Sequence, residues 1–363
     1  MDLSRLDTLR KYMDEQQIDV AIITLPKHVY YLTGFLSEPH ERFLGLLIPR
    51  DGEATLLVPA LDREAAEQSS MITQIATHKD TDDPYEIVKG ILPAGLRRVG
   101  LEKDHLTVNR FEALANALEA EQYLDMELPL REMRLTKSPD EIVRIKRAID
   151  VIEGVLAEGL KKVKAGVTEA EMVAELEYLM KRLGASGPSF DTMVLAGEKA
   201  ALPHGHPGDR VIREGDLLLF DMGVVLDGYV SDITRTFAVG EINEKQKEIY
   251  ETVLSANLAA IEATRPGITL ASLDQAARDV IAAKGYGDYF IHRLGHGMGM
   301  DVHEYPSVHG ANQDLLRAGM VFTIEPGIYL PGVGGVRIED NVFVTENGCE
   351  VLTSFPKELT IIG

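Results

Sequence analysis

The 363-residue sequence contains a single cysteine, Cys349, set in a turn-like Asn-Gly-Cys-Glu. One thiol closes no internal disulfide and builds no cysteine metal site, which excludes a disulfide scaffold and a zinc-thiolate domain. A reducing, cytoplasmic home is expected. Cys349 itself reads as a small residue in a turn. Long apolar runs are also missing: no stretch reaches the roughly 18 residues that suggest a membrane span. Residues 1–17 alternate charged and apolar positions at helical spacing and lack the basic-then-apolar order of a secretory signal. Basic clusters are few, and the formal net charge is −21. Such a field repels a phosphate backbone, so no nucleic acid is expected as a partner. No glycine-rich phosphate loop occurs, which argues against a nucleotide-binding enzyme.

What is present suits a globular chain, 45% hydrophobic and 26% charged, long enough for two domains. Residues 4–17 read as an amphipathic helix and 19–24 as a buried strand. Residues 43–50 and 53–60 read as two more strands, joined by a turn at Asp51-Gly52. A helical run at 61–69, an extended 96–102 and a helix over 107–118 complete an α/β first domain, residues 1–130. In Ser138-Pro139-Asp140-Glu141, serine caps, proline takes the first helical position and glutamate falls three after the cap. That start predicts a helix to about Lys162, early in a second domain, residues 131–363. Within it Lys164-Ala165-Gly166-Val167-Thr168 is echoed by Arg265-Pro266-Gly267-Ile268-Thr269. Each copy follows a helical pattern and caps another helix, ending near Gly184 and Gly285, before strands. Unless the echo is chance, two similar halves pack around a central sheet with a cleft between them.

Candidate chemistry lies in this second half. Leu217–Phe220 reads as a strand ended by Asp221. A turn at Asp227-Gly228 returns the chain past Asp232, so a hairpin can set the two carboxylates side by side in an apolar setting. Close, poorly solvated carboxylates repel unless a cation or proton lies between them; the alternative is a pair of solvated turn aspartates. His292, His296 and His303 crowd one glycine-rich segment of a chain with only 10 histidines. Glycines 295, 297 and 299 there would let the backbone approach a ligand. A lone histidine is usually structural, but this density favours a site, and the segment lacks the second histidine of a helical zinc motif. Glu325 and Glu339 lie inside apolar, strand-like runs joined by a turn at Pro331-Gly332, where a buried charge needs compensation. Asp340 would face the opposite side of its strand from Glu339. Four carboxylates and a neutral imidazole match the charge of two divalent ions. Oxygen and nitrogen donors suit manganese, cobalt, iron or zinc, and two ions about 3.5 Å apart could activate a water for hydrolysis.

Five stretches, 203–209, 219–237, 292–304, 320–330 and 336–348, resemble in order the motifs of the metallopeptidase family that contains proline dipeptidase, aminopeptidase P and methionine aminopeptidase. A weaker likeness at 29–35 extends the resemblance to that family's amino-terminal domain. The resemblance implies a two-domain α/β chain with a carboxy-terminal pita-bread domain built on a pseudo-twofold axis. It implies that Asp221, Asp232, His296, Glu325 and Glu339 ligate two divalent ions, Mn²⁺ first and Co²⁺, Zn²⁺ or Fe²⁺ otherwise, with Asp232 and Glu339 spanning both. All five positions are filled, unlike in creatinase, which shares the fold without the metals. By the same resemblance His204, His292 and His303 are pocket histidines that contact the scissile group or the proline-side carboxylate. Glu325 also shuttles a proton, Arg337 lies behind the metals or faces the substrate, and Thr234 steadies Asp232. His206 fits the motif less well than His204. The implied substrate is a small peptide with proline at its second position. A dipeptide is preferred, with a longer Xaa-Pro peptide as the alternative and a non-catalytic binding protein as the reading from another class. A homodimer is expected, residues 1–130 serving dimerisation and substrate gating. Thorough chelation is predicted to abolish hydrolysis and added Mn²⁺ or Co²⁺ to restore it; full turnover by verified metal-free protein would refute the metal reading.

Overall fold

The computed structural model describes residues 4–363, so residues 1–3 of the expected first domain lie outside the described residues. The chain divides into two compact units, Met1–Arg134 and Leu135–Gly363. None of the described helices is long and apolar enough to cross a membrane.

In the first unit, strands β1 (Val20–Ile23), β2 (Gly45–Pro49), β3 (Thr55–Pro59), β4 (Gln74–His78), β5 (Arg98–Leu101) and β6 (Gln122–Asp125) form one sheet in the order β4-β3-β2-β1-β5-β6. Its helices are α1 (Ser4–Gln16), α2 (Pro26–Thr33), α3 (Arg63–Ser69), α4 (Pro84–Ile91), α5 (Val108–Leu118) and α6 (Glu127–Leu135). Periodicity locates α1, α3 and α5 and four of the strands. It misses α2 and α4, which open on Pro26 and Pro84, prolines that read as breaks in the sequence pattern. Core strands β1, β2 and β5 bury Val20, Ile22, Leu47, Val99 and Leu101 with Val88 of α4 and Leu114 of α5.

A polar cluster is also buried in this unit. Glu102, fully buried, accepts hydrogen bonds from the backbone N–H groups of Thr24 and Leu25 and from His28 Nδ1 at 2.5 Å. With Nδ1 donating, His28 Nε2 accepts from Arg134 Nη1 at 2.8 Å. Burial pushes the Glu102 carboxyl up, but the hydrogen bond from His28 and the two backbone donors outweigh it and hold it below the usual range.

The second unit contains the helices α7 (Pro139–Leu160), α8 (Glu169–Arg182), α9 (Glu244–Ala263) and α10 (Leu270–Ala283). Ser138 and Glu141 form the expected reciprocal cap of α7, and Ile142, Ile145, Ile149, Ile152 and Leu156 bury one face at helical spacing. The echo is structural. Thr168 caps α8 and bridges Val211; Thr269 caps α10 and bridges Leu315. Gly166 donates to the Ile212 carbonyl and Gly267 to that of Leu316, at 3.0 and 2.9 Å. Gly184 and Gly285 follow the helix ends with φ of 96° and 82°, the left-handed conformation that favours glycine.

Each helix pair covers its own strands. The short strand β7 (Gly187–Pro188) joins β10 (Val224–Leu226) and β11 (Tyr229–Val230). One four-stranded sheet runs β20-β12-β9-β8, from β8 (Met193–Ala196), β9 (Leu217–Met222), β12 (Ile233–Val239) and β20 (Ile361–Ile362). A five-stranded sheet runs β14-β13-β15-β18-β19, from β13 (Gly295–Gly297), β14 (Glu304–Val308), β15 (Val321–Ile324), β18 (Asp340–Val344) and β19 (Cys349–Val351). Between β15 and β18 the hairpin β16 (Gly327–Leu330) and β17 (Gly334–Arg337) forms a separate ladder turning at Pro331-Gly332. Glu325 and Glu339 therefore occupy the two breaks in this long hairpin, not strand interiors. Their backbone N–H groups, released from the ladder, donate to Leu294 and Thr234 carbonyls instead.

A carboxyl whose folded pKa is depressed contributes stability above its unfolded pKa, roughly 4.3 for glutamate, and loses it as pH falls through the folded value. Glu102→Gln is therefore predicted to cost about 3 kcal/mol at neutral pH, the upper range for losing hydrogen bonds to a charged group. The deficit should shrink below about pH 4. Urea unfolding across that range measures it; a pH-independent deficit would contradict the assignment.

Candidate metal centre

Five carboxylate or imidazole side chains reach one cavity of about 440 Å³ from five different chain segments. Asp221 lies near the end of β9 opposite Thr234 of β12, and Asp232 sits just before β12. His296 is the middle residue of β13, and Glu325 and Glu339 project from the hairpin breaks. Among the described residues, Asp232, His296 and Glu339 offer ligand atoms that all lie within 4.8 Å of one another. Asp221 and Glu325 line the same cavity, with His204, His292, His303 and Arg337. His206 does not line it. Asp340 is fully buried and turned away: its carboxylate is taken by Arg235 and Lys357.

The hydrogen bonds leave acceptors facing one another. His296 Nδ1 donates to the Gly297 carbonyl at 3.2 Å, so Nε2 directs its lone pair toward Glu325 Oε1 at 3.2 Å and Asp232 Oδ2 at 3.7 Å. Glu339 Oε2 accepts from Thr234 Oγ1 at 2.7 Å, but Glu339 Oε1 is buried with no hydrogen-bond partner. An orphaned carboxylate oxygen beside an imidazole lone pair is a cation's donor set, and the residues fit divalent ions held by oxygen and nitrogen.

Electrostatics agree. Burial, then the charges of Glu339, Asp221 and Glu325, push Asp232 well above the usual carboxylate range. Burial, then Glu325 and Asp221, do the same to Glu339. Asp221 is raised by burial against the pull of Arg337. The cavity thus strains against its own negative charge, which bound cations would relieve.

Some roles differ from the sequence expectation. Thr234, expected to steady Asp232, gives its hydroxyl to Glu339 and accepts from Arg337 Nε at 3.1 Å. The close approaches at Gly295 and Gly297 are to protein, not to a ligand: a Cβ there would collide with the Thr323 and Tyr305 carbonyls. Arg337 is occupied by Thr234, by Tyr329 OH at 2.7 Å and by Asp221. Burial lowers His292, and burial with the nearby Arg293 charge lowers His303 to about 4, so both present neutral rings.

Three residues of the site escape sequence reasoning. Tyr329 OH accepts from Arg337 and donates to His292 Nε2 at 2.9 Å, while His292 Nδ1 donates to the Arg293 carbonyl at 2.7 Å. Its apolar neighbours make it look like core. Thr323 Oγ1 accepts from the His296 N–H and donates to Glu325 Oε1, each at 3.1 Å. Arg293 lines the cavity beside the histidines, and its place in their motif is the available signal.

Residues 143–346 match the model of metallopeptidase family M24, and residues 5–136 that of the creatinase/prolidase N-terminal domain. The chain belongs to metallopeptidase family M24. This M24 chain is 44% identical over 363 residues to the putative dipeptidase YkvY of Bacillus subtilis, an alignment spanning 99% of this chain and 100% of the relative. The crystal structure of the prolidase from Pyrococcus horikoshii superposes with a TM-score of 0.91 at 40% identity, covering 98% of this chain and 99% of that one. The X-Pro aminopeptidase from Thermotoga maritima superposes with a TM-score of 0.89 at 32% identity, covering 97% and 100%. The architecture is accordingly a creatinase-like first domain followed by a pita-bread metallopeptidase domain, whose two halves are the pseudo-twofold echo.

Asp232→Asn removes one of four crowded carboxylates while keeping its size. The variant is predicted to lose at least one divalent ion and most turnover, yet to melt above the parent when both are metal free, because repulsion falls. Elemental analysis and metal-free melting curves test this; two tightly held ions with near-normal turnover would refute the assignment.

Proposed function

We propose that this M24 metallopeptidase hydrolyses the Xaa-Pro bond of dipeptides, with Asp221, Asp232, His296, Glu325 and Glu339 holding two divalent ions. The observation that carries the reading is the single cavity in which these five side chains meet three histidines and Arg293 beside an apolar wall of Phe190, Met193, Pro203 and Val302. Four carboxylates match two ions in charge, and oxygen and nitrogen donors without sulfur suit Mn²⁺, with Co²⁺, Zn²⁺ and Fe²⁺ as the alternatives. When bound, such ions supply a nucleophilic water at neutral pH and polarise the scissile carbonyl.

The chain's own residues do the rest. Glu325 is the carboxylate that accepts the water's proton and passes it to the departing proline nitrogen, which carries no hydrogen of its own in the peptide. Thr323 fixes the orientation of Glu325, and Thr234 that of Glu339. His204 reaches the cavity from the loop after β8 and donates to the carbonyl oxygen as charge develops there. His292 is held in one tautomer by the Arg293 carbonyl and Tyr329, which preorganises that wall. With Arg337 engaged by its neighbours, Arg293 is the cation that faces a substrate carboxylate. The apolar wall receives the proline ring. A cytoplasmic homodimer, in which a neighbouring subunit's first domain closes the site against longer peptides, belongs to the same proposal.

The names of the two solved relatives support both a dipeptidase and an aminopeptidase, and the carboxylate separates them. Metal-loaded enzyme should cleave Ala-Pro about tenfold or more faster than its C-terminal amide or a longer peptide beginning Ala-Pro, because either change leaves the guanidinium without its charged partner. Comparable or faster cleavage of the longer peptide would overturn the dipeptidase reading in favour of the aminopeptidase.

A further inference from the structure

Three carboxylates outside the metal centre share an arrangement. Glu169, fully buried in the first turn of α8, accepts from the Ala196 N–H through Oε1 at 2.9 Å and from the Gly208 N–H through Oε2 at 3.1 Å. Those two donors are the neck of the loop that carries His204. Lys199, within that loop, pairs with Glu169 at 2.5 Å and also donates to the His206 carbonyl at 2.9 Å. One side chain thus cinches the loop at both ends and braces its middle.

The other half of the pseudo-twofold repeats the device. Asp274, fully buried on α10, accepts from the Leu294 N–H at 3.0 Å and pairs with Arg278 at 2.6 Å. Arg278 in turn donates to the Phe290 carbonyl at 2.9 Å and the His292 carbonyl at 2.5 Å. The pair therefore brackets His292 from both sides. A third case holds His303. Glu304 Oε1 accepts from the Met300 and Asp301 N–H groups at 2.8 and 3.0 Å, and Oε2 from Lys137 Nζ at 3.0 Å.

In each case the bonds converge on the backbone flanking one cavity histidine. A carboxylate suits this because its two oxygens accept several N–H groups at once, and the paired cation compensates its burial. We infer that Glu169, Asp274 and Glu304 are positioning residues, each setting the place of one pocket histidine: His204, His292 and His303 respectively. The inference rests on the reading of those histidines as groups that meet the substrate. A displacement of about 1 Å at such a group costs up to about a hundredfold in rate, so a clamp of this kind acts on catalysis without touching substrate or metal.

Double-mutant cycles on the full-length, metal-loaded chain test it: E169Q with H204A, D274N with H292A, and E304Q with H303A, assayed on Ala-Pro with metal content measured throughout. Each clamp variant alone should keep its metal and lose about tenfold in kcat/KM. In the matching His→Ala background the same change should cost less than about twofold, because the group it positions is already gone. Charge-keeping K137R should retain more activity than E304Q. Full additivity within the matched pairs, or loss of metal from the clamp variants, overturns the inference. Unchanged efficiency in the single His→Ala variants instead refutes the histidines' roles, and the inference falls with them. If one clamp variant does not fold, the remaining cycles decide.

Discussion

Mutual repulsion among Asp221, Asp232, Glu325 and Glu339 is the constraint around which the second domain is organised. Burial raises the cost of every uncompensated charge, and the protein compensates with one arginine and two threonine hydroxyls. That leaves Glu339 Oε1 without a partner and His296 with a lone pair aimed at carboxylates. A site left unsatisfied in this way stores affinity for cations. The same groups that weaken the fold on their own are those proposed to hold the metal of this M24 peptidase.

The architecture places these groups by interrupting regular structure. A single uninterrupted hairpin from Val321 to Val344 would run every backbone group of Glu325 and Glu339 into the ladder. The break at both positions frees their N–H groups to reach Leu294 and Thr234, and the Glu339 bond to Thr234 ties the five-stranded sheet to the four-stranded one beside the cavity. Arg235 reinforces the join from behind: it donates to the carbonyls of Thr234 and Glu339 and pairs with the buried Asp340. Asp340 thus serves the join while its neighbour Glu339, in the break just before β18, serves the cavity.

Orientation is handled by hydrogen-bond chains. The run from Arg337 through Tyr329 and His292 to the Arg293 carbonyl fixes one wall of the cavity. Thr323 links the backbone of His296 to the carboxylate of Glu325 in two bonds. These links explain why groups without formal charge matter in a site dominated by charge: they hold each carboxylate at an angle where its remaining oxygen faces the cavity.

Much of this organisation is legible in the amino-acid sequence. Helix starts are local chemistry, so Ser138-Pro139 and the paired threonines Thr168 and Thr269 declare themselves through their side chains and neighbours. Acidic residues in apolar runs and histidines among glycines likewise mark expense that ordinary folding does not require, and all nine candidate site residues line one cavity. The helices α2 and α4 are hidden because each opens on a proline, which reads as a break in the pattern. Roles that depend on a partner far along the chain are also hidden: Thr234 serves Glu339 and not Asp232, and Tyr329 faces Arg337 as well as the core. Sequence by itself determined which residues carry charge, cap helices and turn the chain, because those properties belong to a residue and its near neighbours. Only the tertiary structure decided which carboxylate oxygen stays unpartnered, which groups engage Arg337 and where the hairpin breaks, because each depends on groups brought together from segments a hundred residues apart.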